Sequence, residues 1–331
     1  MKKLIRIFSI ACYLIAVLLI IFTVLSIFRN AGIRYLKMLD FPRIQMFIII
    51  IINLFILWIL IKKWRWYDYL ITIGLIAGLI INAVFLINYT RIVPVKVQGI
   101  NKVKPSEERF SLLMANVKMS NNRTQPLIDL VENEKPDLVL VMEVDEWWNK
   151  KLEILDEEYP YSKQALNELA YGMVLYSKLP LKNVEIDYLN NKNVPSFESI
   201  ISLPGKKEFV FHSVHPVPPT YFKNLPDNAG QEEKALKKIG KQIQEDKRPA
   251  IVAGDLNDVV WSYVDNLTGT QNILYDVRIG RGFFNSFNAN NFLMRWPLDH
   301  VFVTKEFRLK QLKRLPKIGS DHFPVFVELV L

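Results

Sequence analysis

The sequence predicts a chain in two parts, three transmembrane α-helices followed by an α/β domain. Three observations predict it. Long apolar runs fill the stretch before residue 90. Beyond residue 109, short β-rich runs alternate with helical stretches. Charge is also divided: residues 1–104 hold 14 Lys/Arg against Asp40 and Asp68, while the remainder holds 28 basic and 31 acidic residues. The formal +9 therefore belongs to the first third, and the rest is slightly acidic. With 331 residues, 50% hydrophobic, 13 Gly and 17 Pro, the composition excludes a disordered chain, a collagen-like fibre and a disulfide scaffold. The acidic remainder argues against a domain whose main affinity is for polyanionic nucleic acid.

The membrane domain covers 1–89, with spans expected at about 7–28, 44–61 and 70–87. Each is long enough for a helix to cross a ~30 Å hydrocarbon core. The connections are short and basic, with Arg29, Arg34, Lys37 and Arg43 in one and Lys62, Lys63 and Arg65 in the other. Trp58, Trp64, Trp66, Tyr67, Tyr69 and Tyr89 stand near the ends of the runs, as interfacial anchors do. A cleaved signal peptide is disfavoured, because the first run is too long and no small-x-small site follows it. The Lys2-Lys3 start is read as facing inward in a multi-pass plasma (inner) membrane, which places the rest of the chain outside the cytoplasm. The count of basic residues slightly favours the reverse orientation. The one cysteine, Cys12, lies in the first run and says nothing about the compartment of the following domain.

Residues 90–108, with Pro94, Gly99 and Pro105, read as a tether, and 109–331 as one domain large enough for a full core. Strands are expected at 110–115, 138–142, 172–176, 199–202, 208–214, 250–253, 300–304 and 323–329. Helices are expected at 125–134, 146–155 and 231–246, the last with Ala235, Ile239 and Ile243 about a turn apart.

The chemistry gathers where strands end. Phe110-Ser-Leu-Leu-Met-Ala runs into Asn116, Pro136-Asp-Leu-Val-Leu-Val-Met into Glu143, and Phe209-Val-Phe-His-Ser-Val into His215-Pro216. Ala250-Ile-Val-Ala-Gly runs into Asp255-Leu-Asn257-Asp258. Pro297-Leu-Asp299-His300 and Gly319-Ser-Asp321-His322-Phe-Pro324 open the last two strands. One Asp or Asn after a strand is ordinarily a turn former. Six such ends, holding three of the four histidines, are hard to explain as turns.

These motifs resemble the endonuclease/exonuclease/phosphatase superfamily, metal-dependent phosphohydrolases that include type I deoxyribonuclease, apurinic-site endonucleases, sphingomyelinases and inositol-polyphosphate phosphatases. The resemblance covers about 109–331. It is most specific at Gly254-Asp255-Leu256-Asn257 and Ser320-Asp321-His322-Phe323-Pro324, nearly so at 136–144, and looser at Gly172-Met-Val-Leu-Tyr-Ser177. It implies a four-layer α/β/β/α sandwich. It also implies a divalent cation, Mg²⁺ or Mn²⁺, on Glu143, Asn116 and Asp321, since hard cations take oxygen ligands. Asp255 is implied to activate the attacking water and Asn257 to donate to the phosphate. His322 would hold the phosphate or protonate a leaving oxygen, Asp299 would keep His322 charged, and His215 would be the other histidine at the phosphate.

Where the family often has Tyr, this chain has His300, for which a structural role is at least as good a reading. His212 alternates with Val210 and Val214 and reads as structural. Asp258 reads equally as a supporting carboxylate or a turn residue. The 255–258 stretch is no calcium loop, and no ATPase or serine-hydrolase motif is present. The expected function is hydrolysis of a lipid-linked or membrane-proximal phosphoester beside the bilayer. Trp147-Trp148 and Trp261 are candidates for a substrate or membrane rim, although packing is the better reading of any one. A membrane-tethered nuclease is the alternative, with Lys234, Lys237, Lys238, Lys241, Lys247 and Arg248 as a possible groove or a solvated helix face. A non-catalytic membrane binding module is a third reading.

Overall fold

The structure, a computed structural model, describes residues 2–29, 33–227, 233–259, 261 and 264–331. It divides into two units, 1–92 and 93–331. The first is built on α1 (Lys2–Ser26), the short α2 (Arg34–Met38), α3 (Arg43–Leu60) and α4 (Trp66–Leu86). Three of these helices are long and apolar enough to cross a membrane. Their polarity is inverted relative to a water-soluble bundle. Ile, Leu and Phe cover the outside, whereas Asp40, Arg43, Asn53 and Asn82 are buried. Arg29 and Arg43 both pair with Asp40, Arg43 also donates to the Ser26 carbonyl at 3.3 Å, and Asn82 donates to Thr23 Oγ1 at 3.2 Å. Such pairing is what polar groups need where water is excluded. At the other end, Tyr13 donates to Asp68, whose carboxylate also accepts from the Arg65 N–H at 2.7 Å. The helices begin one to five residues earlier than the apolar runs because helical geometry continues through the flanking residues.

The second unit has two six-stranded sheets. The strands are β1 (Arg109–Asn116), β2 (Leu138–Met142), β3 (Tyr161–Ala165), β4 (Met173–Ser177), β5 (Leu181–Asp187), β6 (Ser196–Ser202), β7 (Glu208–Ser213), β8 (Ala250–Asp255), β9 (Tyr275–Asp276), β10 (Asp299–Val303), β11 (Arg308–Arg314) and β12 (Val325–Val330). One sheet has the order β11-β12-β1-β2-β4-β3 and the other β5-β6-β7-β8-β10-β9. Strand alternation sorts each sheet's faces. From β1, Phe110, Leu112 and Met114 meet Phe209, Ile251 and Val301 of the other sheet in the central core. From the same strand, Leu113 and Ala115 face outward onto α5 (Gln125–Glu134) and α6 (Glu146–Leu152). On the second sheet Ala250 and Val252 face α7 (Glu233–Asp246) and α8 (Val264–Thr268). The result is helix, sheet, sheet, helix, the expected four-layer sandwich. Phe110 and Phe209 stack across the centre at 4.5 Å between ring centroids.

The structure bears on several further expectations. The unit boundary falls at Ile92/Val93, inside the expected tether. Val97 is buried in the second unit and the Ile100 N–H donates to the Leu309 carbonyl at 3.0 Å, so the end of that segment is an added edge to β11. Trp148 and Trp261 are core residues and only Trp147 is exposed. Along α7, Lys241 pairs with Glu245 in solvent, and beyond it Arg248 pairs with Asp246. That is a solvated helix face. Residues 231–232 of the expected helix, and Met1, lie outside the described residues.

His212 is buried on β7, with Nδ1 3.6 Å from Glu198. Burial lowers its pKa from 6.5 to about 4, against an opposing pull from Asp246. The unfolded chain therefore takes up this proton first. The stability His212 contributes is complete above pH 6.5 and is lost as pH falls through about 4. The loss for this group is on the order of 3 kcal/mol. Thermal unfolding of the full chain in detergent should show this decline between pH 6.5 and 4, and His212→Gln should make it shallower, leaving the share of the likewise buried His300. An equally steep decline in the variant would assign the acid sensitivity elsewhere.

Candidate active site

The side chains that the sequence singles out come from the ends of strands in both sheets, and most converge at one edge. β1 ends at Asn116, β8 ends at Asp255 and β10 begins at Asp299. Glu143 follows β2, His215 follows β7 by two residues, and Asp321-His322 precede β12. Asp255 and Asp299 are directly opposite one another in the antiparallel pairing of β8 with β10.

Two glycines let the backbone make these turns. Gly254 has φ +145°, and a Cβ there would lie 1.9 Å from the Val214 carbonyl oxygen. Gly172 is the partner of the strand end at Glu143. It accepts from the Val144 N–H at 3.0 Å, and a Cβ on it would lie 1.8 Å from the Val144 oxygen. Glu143 itself takes φ 60° and Asn257 φ 50°, left-handed conformations that cost non-glycine residues free energy and gather at functional sites.

His322 is the hub. Its Nδ1 lies 2.8 Å from Asp299 Oδ2 and its Nε2 3.5 Å from Asp255 Oδ2. Burial alone would strip its proton, but Asp299 and Asp255 overcome that and raise the pKa to about 10. His322 is thus an imidazolium at neutral pH. In return it holds Asp299 ionised in spite of burial. Asp255 differs, because burial outweighs the His322 charge and lifts its carboxyl above the usual range. The Ser286 hydroxyl accepts from the Asp299 N–H at 3.1 Å, and Ser320 Oγ accepts from the His322 N–H at 3.0 Å, so both ends of the pair are fixed to the backbone.

Asn116 joins this group to Glu143. Its amide NH₂ donates to Glu143 Oε1 at 2.8 Å and to Asp255 Oδ2 at 3.0 Å, while its oxygen accepts from the Lys118 N–H at 3.0 Å. In this arrangement Asn116 is a clamp between two carboxylates, and service as an oxygen ligand requires the amide to turn over. Burial raises the Glu143 pKa, and nearby Asp321 adds to it. Asp321 is partly exposed and pairs with Lys118 Nζ at 2.8 Å. Asn257 donates through its backbone N–H to Asp255 Oδ1 at 2.8 Å and through its amide to the Pro216 carbonyl at 2.9 Å, so it ties the 215–216 turn to β8. His215 Nε2 stands 3.7 Å from Asp255 Oδ2, too far for a hydrogen bond. Burial lowers its pKa, and its buried Nδ1 has no hydrogen-bond partner among the described residues. Buried polar atoms left in this way mark places where a ligand or water belongs.

Asp255, Asp299 and His322 offer ligand atoms within 4.8 Å of one another, a spacing compatible with a metal ion. His322 Nδ1 is already engaged by Asp299, which leaves the carboxylate oxygens as the donors a hard divalent cation prefers. Glu143 offers a further, half-buried carboxylate held by the Asn116 amide and the Met119 N–H, whereas Asp321 is engaged by Lys118 Nζ at 2.8 Å.

His300 is structural. Arg278 Nη2 donates to its Nδ1 at 2.8 Å and its Nε2 donates to the Asp258 carbonyl at 2.9 Å. Burial and Arg278 lower its pKa to about 4, so it stays neutral. Asp258 accepts from the Val259 N–H at 2.7 Å, a turn contact. Sequence reasoning missed Lys118, Tyr171 and a hairpin at 287–296. The Tyr171 ring lies 5.2 Å from that of His215, and Phe287 packs its ring 4.9 Å from that of His322. Tyr171 directly precedes the glycine of a recognised motif, and that adjacency was the available signal.

Comparison with known proteins bears on the family and the fold. Residues 115–322 match the family described as "Endonuclease/Exonuclease/phosphatase family". Among solved structures, a D. rerio TDP2 humanized by 14 mutations is 15% identical, with a TM-score of 0.55, covering 67% of this chain and 98% of that one. The human Nocturnin catalytic domain with bound sulfate is 14% identical, with a TM-score of 0.53 and coverages of 67% and 93%. A Bacteroides thetaiotaomicron mannosyl-6-phosphatase is 18% identical, with a TM-score of 0.50 and coverages of 67% and 100%. At these identities the likeness is one of fold. A search of curated proteins gave no match.

Gly254→Ala is expected to destabilise the chain by about 3 kcal/mol, since it adds both backbone strain and a collision with a carbonyl. Thermal unfolding in detergent measures this. An unchanged midpoint would show that β8 reaches Asp255 without the close approach to Val214.

Proposed function

The chain belongs to the endonuclease/exonuclease/phosphatase family and is a metal-dependent hydrolase of phosphoester bonds, and we propose that its substrate is a lipid-linked or membrane-proximal phosphoester. The observation that carries the chemistry is the buried Asp255–His322–Asp299 group beside Glu143. Three helices of membrane-spanning length in the same chain, and the acidic balance of residues 105–331, support the choice of substrate.

Each residue has a task in this reading. Asp255, whose pKa burial raises, takes the proton of the attacking water. A base is most effective when its pKa lies nearer the working pH. His322, held charged by Asp299, donates to a phosphoryl or leaving oxygen. His215 offers its vacant ring nitrogen to the phosphate, and Asn257 keeps the 215–216 turn in place and presents its amide beside Asp255. Glu143 and Asp321 would hold the divalent cation, Mg²⁺ or Mn²⁺, Asp321 exchanging Lys118 for it, with Asn116 orienting the Glu143 carboxylate. A bound cation supplies charge neutralisation at the phosphoryl oxygens.

Asp255→Ala and His322→Ala are each expected to lower kcat by about 10³-fold or more with circular dichroism unchanged. Near-normal turnover in either variant removes that residue from the mechanism. Chelation with EDTA should abolish turnover and added Mg²⁺ or Mn²⁺ restore it. Glu143→Gln should shift the restoring metal concentration upward by about 10–100-fold. Hydrolysis indifferent to chelation would overturn the metal site. For the substrate, the full chain is offered plasmid DNA, bis-(p-nitrophenyl) phosphate and a polyprenyl diphosphate. DNA cut fastest, with a steep loss on added salt, would replace the lipid reading with the nuclease one.

A further inference from the structure

Beside the active site stands a hairpin whose tip is apolar and exposed. Its base is the pairing of Phe287 with Trp296, whose rings stack at 6.0 Å. The base is fixed to the catalytic segment: Phe287 bridges to His322, and the Ala289 N–H donates to the Asp321 carbonyl at 2.7 Å. The tip carries Phe292, Leu293 and Met294, which are 78%, 73% and 44% exposed. It is a shaped turn. Asn291 Oδ1 accepts from the Leu293 and Met294 N–H groups at 3.0 and 3.2 Å, and Asn288 Oδ1 accepts from the Asn290 N–H at 2.7 Å. Three consecutive large apolar residues held out in this way are unusual on a surface that faces only water.

The segment that forms the hairpin, residues 286–298, carries Arg295 and no Asp or Glu. Arg295 lies 5.5 Å from the Phe292 ring centroid and 5.0 Å from that of Phe323, and Arg314 lies 4.4 Å from Phe323 on the same ring. Phe323 follows His322 directly. An apolar tip with Arg295 and Arg314 at its root matches the boundary between acyl chains and anionic headgroups. The unit that bears it is joined, through the few residues between Tyr89 and the buried Val97, to helices of membrane-spanning length.

We propose that the 288–295 hairpin inserts Phe292, Leu293 and Met294 into the interface of an anionic bilayer, with Arg295 and Arg314 meeting headgroup phosphates at the mouth of the active site. The catalytic consequence rests on the function proposed above, whereas the insertion does not. The hairpin base contacts His322 and Asp321, so seating the tip brings the catalytic edge to the headgroup layer.

Two measurements on the full chain test this. In a Cys12→Ala background, Phe292→Cys is labelled with an environment-sensitive fluorophore, with Ser162→Cys on exposed β3 as the reference, in nanodiscs containing phosphatidylglycerol. The label at 292 should shift to the blue and be quenched by lipids carrying a nitroxide near the headgroup, and the label at 162 should stay water-like. A water-like signal at 292 overturns the proposal. So does a shift that appears only with two copies per nanodisc, which would assign the tip to self-association. Separately, Phe292→Asp with Leu293→Asp should lower the rate on a bilayer-embedded phosphoester at least tenfold and leave bis-(p-nitrophenyl) phosphate hydrolysis unchanged. Equal rates on the embedded substrate overturn the catalytic consequence. If the parent chain hydrolyses neither substrate, the proposed function fails and the label experiment still decides insertion.

Discussion

Two carboxylates face each other across neighbouring antiparallel strands, Asp255 ending β8 and Asp299 opening β10. Like charges so placed repel, and their burial adds to the cost. The imidazolium of His322 answers both at once, 2.8 Å from one and 3.5 Å from the other. The rest of the site follows from this three-body arrangement. It fixes the protonation state of the histidine, it sets the two aspartates apart in basicity, and it ties β12's leading segment to the opposite sheet. His322 comes from the β11-β12-β1 sheet and both aspartates from the other, so the charges also lock the two sheets at one edge.

That lock works only because the packing beneath it is rigid. The central core interleaves Phe110, Leu112 and Met114 with Phe209, Ile251 and Val301, and close-packed interiors of this kind resist the shifts that would misplace a strand end. Backbone devices then aim each side chain. Gly254 brings β8 against the Val214 carbonyl, and Gly172 lets the Val144 carbonyl approach while Glu143 turns through a left-handed conformation. The strain is concentrated where side chains must leave the regular alternation of a strand.

Much of this was legible in the sequence because the informative residues are local. Phe110–Asn116, Pro136–Glu143 and Ala250–Asn257 each combine an apolar strand with its terminal functional group, and their order along the chain carries the fold. The strands that escaped notice, β3, β5, β9 and β11, are the edges of the two sheets. β3 reads Tyr-Ser-Lys-Gln-Ala and β11 Arg-Leu-Lys-Gln-Leu-Lys-Arg, with polar residues outnumbering the few that reach the core, so they show little periodicity. The end of the expected tether escaped for the same reason, since it attaches to β11 through backbone hydrogen bonds. Within the site, spacing could not reveal that the Asn116 amide faces the carboxylates, or that Lys118 pairs with Asp321, because both depend on contacts between distant segments. His300 was left between two roles by sequence and becomes structural once Arg278 and the Asp258 carbonyl saturate its ring.

The Arg29–Asp40–Arg43 group has a consequence for how the helices of the first unit depend on one another. Two guanidiniums share one buried carboxylate, so replacing Asp40 with a neutral residue would take that carboxylate from both at once. α4 is drawn into the same knot, with Asn82 meeting Thr23 and Phe85 lying under the Arg43 guanidinium. Loosening would therefore spread from one acidic side chain to three helices together.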